Sequence, residues 1–423
     1  MGAPDNNLVA ATLRMDRGRL MAALIARLGD FQLAEDCLQD AVEAALIHWG
    51  RSGVPDNPQA WLLRVAQRKA IDRFRRDARS RAYAAELAAL EREDDAMAVP
   101  HDIPDHRLRL IFTCCHPALE RKTRVALTLR TLGGLTTDEI ARAFLDKPAT
   151  MAQRLSRARK KIQTAAIPFT IPDDANLPER VSSVLTVIYL IFNEGYAATE
   201  GDAQLRVDLC EEALFLARLM WQLCPDDAEV AGLLALILLT HARRAARMDD
   251  TGGYVPLKAQ DRGIWDRAAI EEGRGLVEWA LAQGRVGRFQ LQAAIAALHG
   301  EAASAAATDW RQIVALYRLL ARMSPEPVVR LNLALARAEV DGAGQALADV
   351  DHLEDALSAY QPFHAARAEL LARLDHLGEA ELAYARAISL TQVRSEQAFL
   401  RGQLALVQKK RPSSRLGRSP TGR

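Results

Sequence analysis

Arg64, Arg68, Arg75 and Arg79 are spaced four, seven and four residues apart, a periodicity that lines them up on one stripe of a helix. Guanidinium groups are permanently charged and fork onto phosphate oxygens, so such a stripe is suited to a polyanionic backbone. Thr150, Gln153, Arg154, Arg157 and Lys161 fall together on one side of a second helix, opposite Met151, Leu155, Ala158 and Ile162. Arginine and glutamine in that setting can reach base edges as well as phosphates, while the apolar stripe holds the helix in place. A third constellation, Asp36, Gln39 and Asp40, is an acidic and amide edge beside an apolar stripe. The alternative for the arginines is a solvated face, although such faces more often alternate sign at i,i+4.

Helical periodicity must position all three groups, and no period-2 strand with hairpin turns is visible. Ala34, Cys37, Leu38, Ala41, Val42, Ala45, Leu46 and Trp49 form one apolar face of a helix. Glycine and two prolines in 51–58 break it, and the basic helix follows from near Gln59 to about Arg81. The acidic, proline-containing stretch 86–105 reads as a linker. Thr136 and Glu139 fit a capping box that opens a short helix, and Pro148 starts the next. A short helix, a turn and a basic exposed helix are the parts of a helix-turn-helix. Three prolines in 167–178 mark a boundary, after which 179–407 is rich in alanine and leucine, helix after helix. Weak self-similarity there, with a tight turn at 376–380, suits a tetratricopeptide-like repeat; a non-repetitive bundle fits as well. Asn193, Glu194 and Gly195 are expected to end an apolar helix. The fold class is therefore all-α: two small helical domains, the second with a helix-turn-helix, then a superhelical domain.

The 423 residues carry a formal charge of +1 that hides an asymmetry. Residues 1–167 are net +6, residues 168–407 net −11, and 408–423 add six cations and no acid. Only the front is expected to face a polyanion, and the tail 408–423 to be disordered. Five cysteines without regular spacing argue against a disulfide framework. The apolar runs 184–192 and 230–239 fall far short of the ~20 residues a membrane helix needs, and no secretory signal is visible, so a cytoplasmic protein is expected. Cys114, Cys115 and His116 have poor metal-ligand spacing. Phosphate-cradling, dinucleotide and nucleophile-elbow motifs are absent, so no cofactor and no enzymatic activity are expected.

The run from Leu33 to Ala41 resembles the polymerase-gripping helix in region 2 of sigma-70-family factors. Asn57 to Ala66, with Ala70 to Arg76, resembles the −10 region of the extracytoplasmic-function (ECF) group, and Gly134 to Ile162 is similar to its region 4 helix-turn-helix. The stretches Tyr189 to Tyr196, Gln260-Asp261-Arg262 with Trp265-Asp266, and Gln290 to Ile295 resemble the subgroup with a long tetratricopeptide-like extension. One departure is Val42, where many of these factors carry phenylalanine.

The resemblance implies region 2 over 10–85, a linker over 86–105, region 4 over 106–166, an extension over 179–407 and a basic tail over 408–423. It implies core RNA polymerase as a partner, through its clamp helices (Asp36, Gln39, Asp40) and its flap. Promoter DNA would be held at −10 by Trp61, Arg64, Arg68, Arg75 and Arg79, and read at −35 by Thr150, Gln153, Arg154, Arg157 and Lys161. The loop 51–60, leading into Trp61, would contact an extruded base. The extension would bind a regulatory protein or set activity itself, and no membrane partner is required. A stand-alone helix-turn-helix regulator with a helical sensor explains 136–400 but leaves 30–80 unexplained, and a pure repeat scaffold leaves both basic helices unexplained.

Overall fold

The computed structural model describes residues 4–76, 103–144, 146–173, 175–196, 207–250 and 252–410. The expected tail from 411 on, most of the expected linker and Arg79 lie outside these residues. Among the described residues the regular structure is helical, with one isolated bridge between Met248 and Tyr254. None of these helices is long and apolar enough to cross a membrane. The chain divides into two compact units, Met1–Gly195 with Val207–Leu223, and Tyr196–Arg206 with Cys224–Arg423.

In the first unit, α1 (Pro4–Leu28), α2 (Phe31–Ser52) and α3 (Pro58–Arg76) pack on one another. Gly29, in the left-handed region, ends α1, and Asp30 caps α2 by accepting from the Leu33 N–H at 2.9 Å. Asn57 accepts from Ala60 N–H at 3.0 Å at the start of α3, and Gln59 donates to Asp16 at 2.7 Å, tying α3 to α1. Leu24, Ile25, Leu38, Trp49 and Leu62 form the buried centre.

The expected apolar face of α2 is corrected in one respect: Leu46 is 40% exposed and Val42 only half-buried. Ala34, Leu38, Ala41, Ala45 and Trp49 already fill the inward stripe, and Leu46 lies about 100° around the helix from Ala45.

The same unit continues through α4 (Ile103–Cys114), α5 (Arg121–Thr131), α6 (Thr137–Ala143) and α7 (Pro148–Thr164). Residues 103–105, expected at the end of the linker, are already helical. Cys114 and Cys115 are buried core thiols, and burial pushes Cys115 up to about 12.

The compact units divide differently from the sequence segments. The prolines of 167–178 separate helices, yet α8 (Leu177–Tyr196, up to Gly195) and α9 (Val207–Leu223) belong to the first unit. Arg107 of α4 pairs with Glu212 of α9 at 3.1 Å, both largely buried, and lies 4.1 Å over the Phe215 ring. Gly195 does not end its helix, which runs on to Tyr196. It is needed instead for close approach: a Cβ there would sit 2.8 Å from the Cys210 nitrogen.

The second unit is built around α10 (Ala228–His241), which is buried nearly all round. It packs on α11 (Arg267–Ala282) and α12 (Arg288–Glu301). Glu229 accepts from the Phe289 and Gln290 N–H groups at 3.2 Å, satisfying the open N-terminus of α12. α13 (Trp310–Met323), α14 (Pro327–Ala338) and α15 (Ala343–Asp351) follow, each packed on the one before; the short α16 (Glu354–Leu357) lies against α14, α15 packs next on α17 (Gln361–Arg373), and α18 (Leu377–Leu390) and α19 (Arg394–Lys410) continue the series. The expected turn at 376–380 is present, with Asp375 left-handed and His376 at the N-cap of α18.

Candidate nucleic-acid interface

Apart from Arg79, which lies outside the described residues, the site residues expected from the sequence are located in the first unit. Asp36 and Asp40 stand one turn apart on α2 and are both taken by Arg73 of α3, at 3.1 and 2.9 Å. Gln39 is exposed and donates to Glu43 at 3.3 Å. Beside them runs an open groove of about 850 Å³ whose walls include Leu33, Asp40, Ile47, Lys69 and Phe74. Ile47 is 60% exposed. This edge therefore offers an exposed amide, two paired carboxylates and apolar surface, the composition of a protein-binding face rather than a phosphate-binding one.

On α3, Arg64 and Arg68 are exposed and pair with no carboxylate among the described residues. Arg75 lies on the last turn of α3, and nothing is described of its side chain. Trp61 is half-buried, with its ring against Trp49 and His48 at 5.5 Å between centroids. Any base contact by Trp61 is confined to the part of the ring those neighbours leave open.

The helix-turn-helix forms as the residues suggest. The Thr136 N–H donates to Glu139 at 2.7 Å and the Glu139 N–H to Thr136 Oγ1 at 3.2 Å, a reciprocal capping box. Pro148 occupies the first turn of α7, and Met151, Leu155, Ala158 and Ile162 are buried. Thr150, Gln153, Arg157 and Lys161 are exposed on the other side. Arg154 differs: it is half-buried and bonded to Asp146, which Lys122 also contacts at 3.2 Å. Those two cations hold the Asp146 carboxyl below its ordinary range. Lys161 donates to the Ala118 carbonyl.

One residue that sequence reasoning passed over ties these elements together. Glu35 of α2, its side chain 11% exposed, is shared by Arg17 of α1 at 3.1 Å, Arg130 of α5, and Arg159 of α7 at 2.8 Å. Arg159 also donates to Gln32 at 2.6 Å, and Gln163 to Asp30 at 3.3 Å. The helix with the candidate base-reading face is thus joined to the helix with the candidate protein-binding edge. The available signal was a carboxylate flanked by apolar positions inside the buried stripe of α2.

Family models match this architecture piece by piece. Sigma-70 region 2 matches residues 13–80, and sigma-70 region 4 matches residues 109–162. The chain thus carries a sigma-70 region 2 domain followed by a sigma-70 region 4 domain. The first match covers α1–α3 and the second α4–α7, so the carboxylate edge and the arginine stripe lie in region 2 and the capping box in region 4. Residues 180–281 match a family of unknown function, DUF6596.

An uncharacterized protein of Rhizobium meliloti (strain 1021) is 42% identical over 405 residues, 95% of this chain and 96% of its own length. The "Probable ECF RNA polymerase sigma factor SigI" of Mycobacterium tuberculosis is 28% identical over 163 residues, 38% of this chain and 56% of that protein. No solved structure matches.

Proposed function

We propose that the chain is an alternative sigma factor of the ECF group, which binds core RNA polymerase and directs promoter-specific initiation. The observation that carries this reading is the ordered pair of sigma-70 domains, with an exposed face on α7 and a protein-binding edge on α2. Asp36, Gln39 and Asp40 would meet the polymerase clamp helices, with Asp36 and Asp40 exchanging Arg73 for basic groups of the partner. Arg64, Arg68, Arg75 and Arg79 would hold −10 phosphates, and the open side of Trp61 would receive an unstacked base. Thr150, Gln153, Arg157 and Lys161 would read the −35 major groove, joined by Arg154 once it releases Asp146. Region 4 would meet the polymerase flap. Reading two separated promoter elements would also require α7 to leave Glu35, so the arrangement described here is the one before promoter engagement.

The helices beyond region 4 would set activity, directly or through a regulatory protein, in the cytoplasm. Transcription in vitro with purified core polymerase tests the reading: this chain, alone or with one activating partner, should give promoter-specific initiation. DNA binding without any polymerase association would instead leave a stand-alone helix-turn-helix regulator. Within the sigma reading, Gln153→Ala should change the preferred −35 sequence, at about 1–3 kcal/mol for a lost bidentate contact. Arg64→Ala should weaken binding evenly and reduce its salt dependence. Truncation after Leu223, which keeps α8 and α9 with the first unit, should lower transcription, and unchanged transcription would remove the C-terminal helices from control.

A further inference from the structure

Gln260-Asp261-Arg262 and Trp265-Asp266 lie inside the segment matched by the family of unknown function, and nothing in the sigma reading uses them. They fold as one short 3-10 turn, Arg262–Ile264, leading directly into α11. Asp261 is occupied in the turn itself, accepting from the Gly263 N–H at 2.8 Å. The Asp266 N–H donates to the Ala242 carbonyl at 2.9 Å, which pins the turn against the end of α10. Trp265 is buried by this arrangement, with 3% of its surface exposed.

Two guanidinium groups lie near its ring, Arg262 at 4.9 Å and Arg243 at 5.9 Å. Arg262 spends its donors on neutral acceptors, the carbonyls of His299 and Ala302 at 2.5 and 2.7 Å and Thr308 Oγ1 at 3.3 Å. Arg243 makes no hydrogen bond and no ion pair among the described residues, although its Nε is buried. The acids of the same turn are committed elsewhere: Asp261 to Gly263, and Asp266 to the Ala269 N–H at 3.1 Å and to Arg244 at 3.6 Å. Like charges therefore face one indole with no carboxylate bound to either.

Three more buried polar atoms have no hydrogen-bond partner: Trp265 Nε1 and His299 Nδ1 beside these arginines, and Gln260 Oε1 two residues before Arg262 in the chain. Burial, then Arg243 and Arg262, push His299 down to about 4, so its imidazole is neutral near pH 7 and adds no third cation. Orphaned buried polar atoms are rare in folded proteins, and a cluster of them calls for an explanation. The fixed donors are the Arg243 guanidinium and the indole N–H; Gln260 Oε1 accepts, and His299 Nδ1 donates or accepts according to tautomer. Two cations with no carboxylate bound to them, together with donors that lack partners, suit a ligand that is anionic and accepts hydrogen bonds.

We propose that Arg243, Trp265, His299 and Gln260 form a binding site for a small oxyanion, a carboxylate or phosphate group, in the second unit. Arg243 supplies the charge and a planar fork, Arg262 a second charge at longer range, and Trp265 a donor and a flat wall. Gln260 Oε1 accepts from a hydroxyl on the ligand or on a singly protonated phosphate. That such an anion would be the signal controlling transcription rests on the sigma reading; the binding itself does not.

The test uses the full chain without polymerase or DNA, so failure of the site and failure of the sigma reading are separable. Inorganic phosphate and acetate are titrated at ionic strength held constant with chloride, and heat of binding and thermal midpoint are recorded. The arginines of the first unit also attract anions, so the decisive quantity is the difference between wild type and Arg243→Gln. Wild type should bind saturably with one more equivalent than the variant and show a midpoint rise that the variant lacks, because a ligand of the native state stabilises by mass action. A response to phosphate alone assigns a phosphate site, and a response to both anions a general oxyanion site. Arg243→Lys, which keeps the charge and loses the fork, should bind at least tenfold more weakly; it serves as the comparison if Arg243→Gln does not fold. No saturable binding by wild type, or equal binding by wild type and either variant, overturns the proposal.

Discussion

The two units treat buried charge in opposite ways. In the first, every buried carboxylate discussed above is met by cations: Glu35 by three arginines, Glu212 by Arg107. In the second, Arg243 and Arg262 lie around Trp265 without a carboxylate. The first pattern is self-contained, and its pairs serve to join helices that are distant in sequence. The second is incomplete as a set of charges. What the contrast teaches is that pairing marks structure in one unit, whereas lack of pairing marks a place for something else in the other. Removing a carboxylate from the first unit should therefore cost stability, and removing Arg243 from the second should not.

The largest effect is expected at Glu212. Burial pushes its carboxyl up and the Arg107 guanidinium down, each against the pull of the other. Glu212→Gln leaves Arg107 buried without its counter-charge and should cost about 3–5 kcal/mol in denaturant unfolding of the full chain. Replacing both residues by apolar ones of similar volume should recover most of that loss, because neither charge then needs desolvating. A single variant as stable as wild type would mean that solvent reaches Arg107 and that the pair is not a buried joint.

Next comes Glu35, where loss of charge-assisted hydrogen bonds should cost about 1.5–3 kcal/mol. The distinguishing readout is geometric. Glu35→Gln should lengthen the distance between fluorescent labels placed at positions 36 and 160, because the α2–α7 contact depends on Arg159 reaching that carboxylate. If the separation is unchanged while stability falls, Glu35 supports α1 and α5 only.

How legible these features were follows from how local they are. The capping box and the buried stripe of α7 lie within a few turns, so Thr136, Glu139, Met151 and Leu155 suffice to read them. The partners of Glu35 come from three other helices, and no spacing along α2 announces them. The helices after the proline-rich stretch 167–178 were read as a separate domain for a similar reason. Proline interrupts backbone hydrogen bonding and so marks a helix end, but the Arg107–Glu212 joint that draws α9 into the first unit is invisible from there. Gly195 looked like a helix terminus because glycine often is one; here its missing Cβ makes room for Cys210. Periodicity drew Leu46 into an apolar face that is wider than the stripe actually buried, and Leu46 lies at its exposed margin.

Acid should separate the units further. His241 and His299 are both held near 4 by burial and by neighbouring arginines, below the ordinary 6.5. Because the folded value is depressed, protons favour the unfolded chain: the contribution is complete above about pH 6.5 and is lost as pH falls toward 4. The slope for His299 is at most about 1.4 kcal/mol per pH unit. Unfolding of the second unit, followed by Trp265 emission in a chain with its other tryptophans replaced, should show this dependence, and His299→Gln should flatten it. A slope unchanged in the variant would assign the acid sensitivity to other groups.

The smallest effect is also the sharpest test of the contrast. Arg243 has a buried Nε without a partner and shares the Trp265 ring with Arg262. In chloride alone, Arg243→Gln removes a half-buried charge and its repulsion of Arg262, at the loss of one guanidinium–indole contact worth about 0.5–1 kcal/mol. These contributions oppose one another, so the variant should unfold within about 1 kcal/mol of wild type, whereas Glu212→Gln, a single exchange at a buried ion pair, should fall well below it. A loss of 3 kcal/mol or more on Arg243→Gln in chloride would show that Arg243 has a structural counterpart within the chain, and the difference between the two units would disappear.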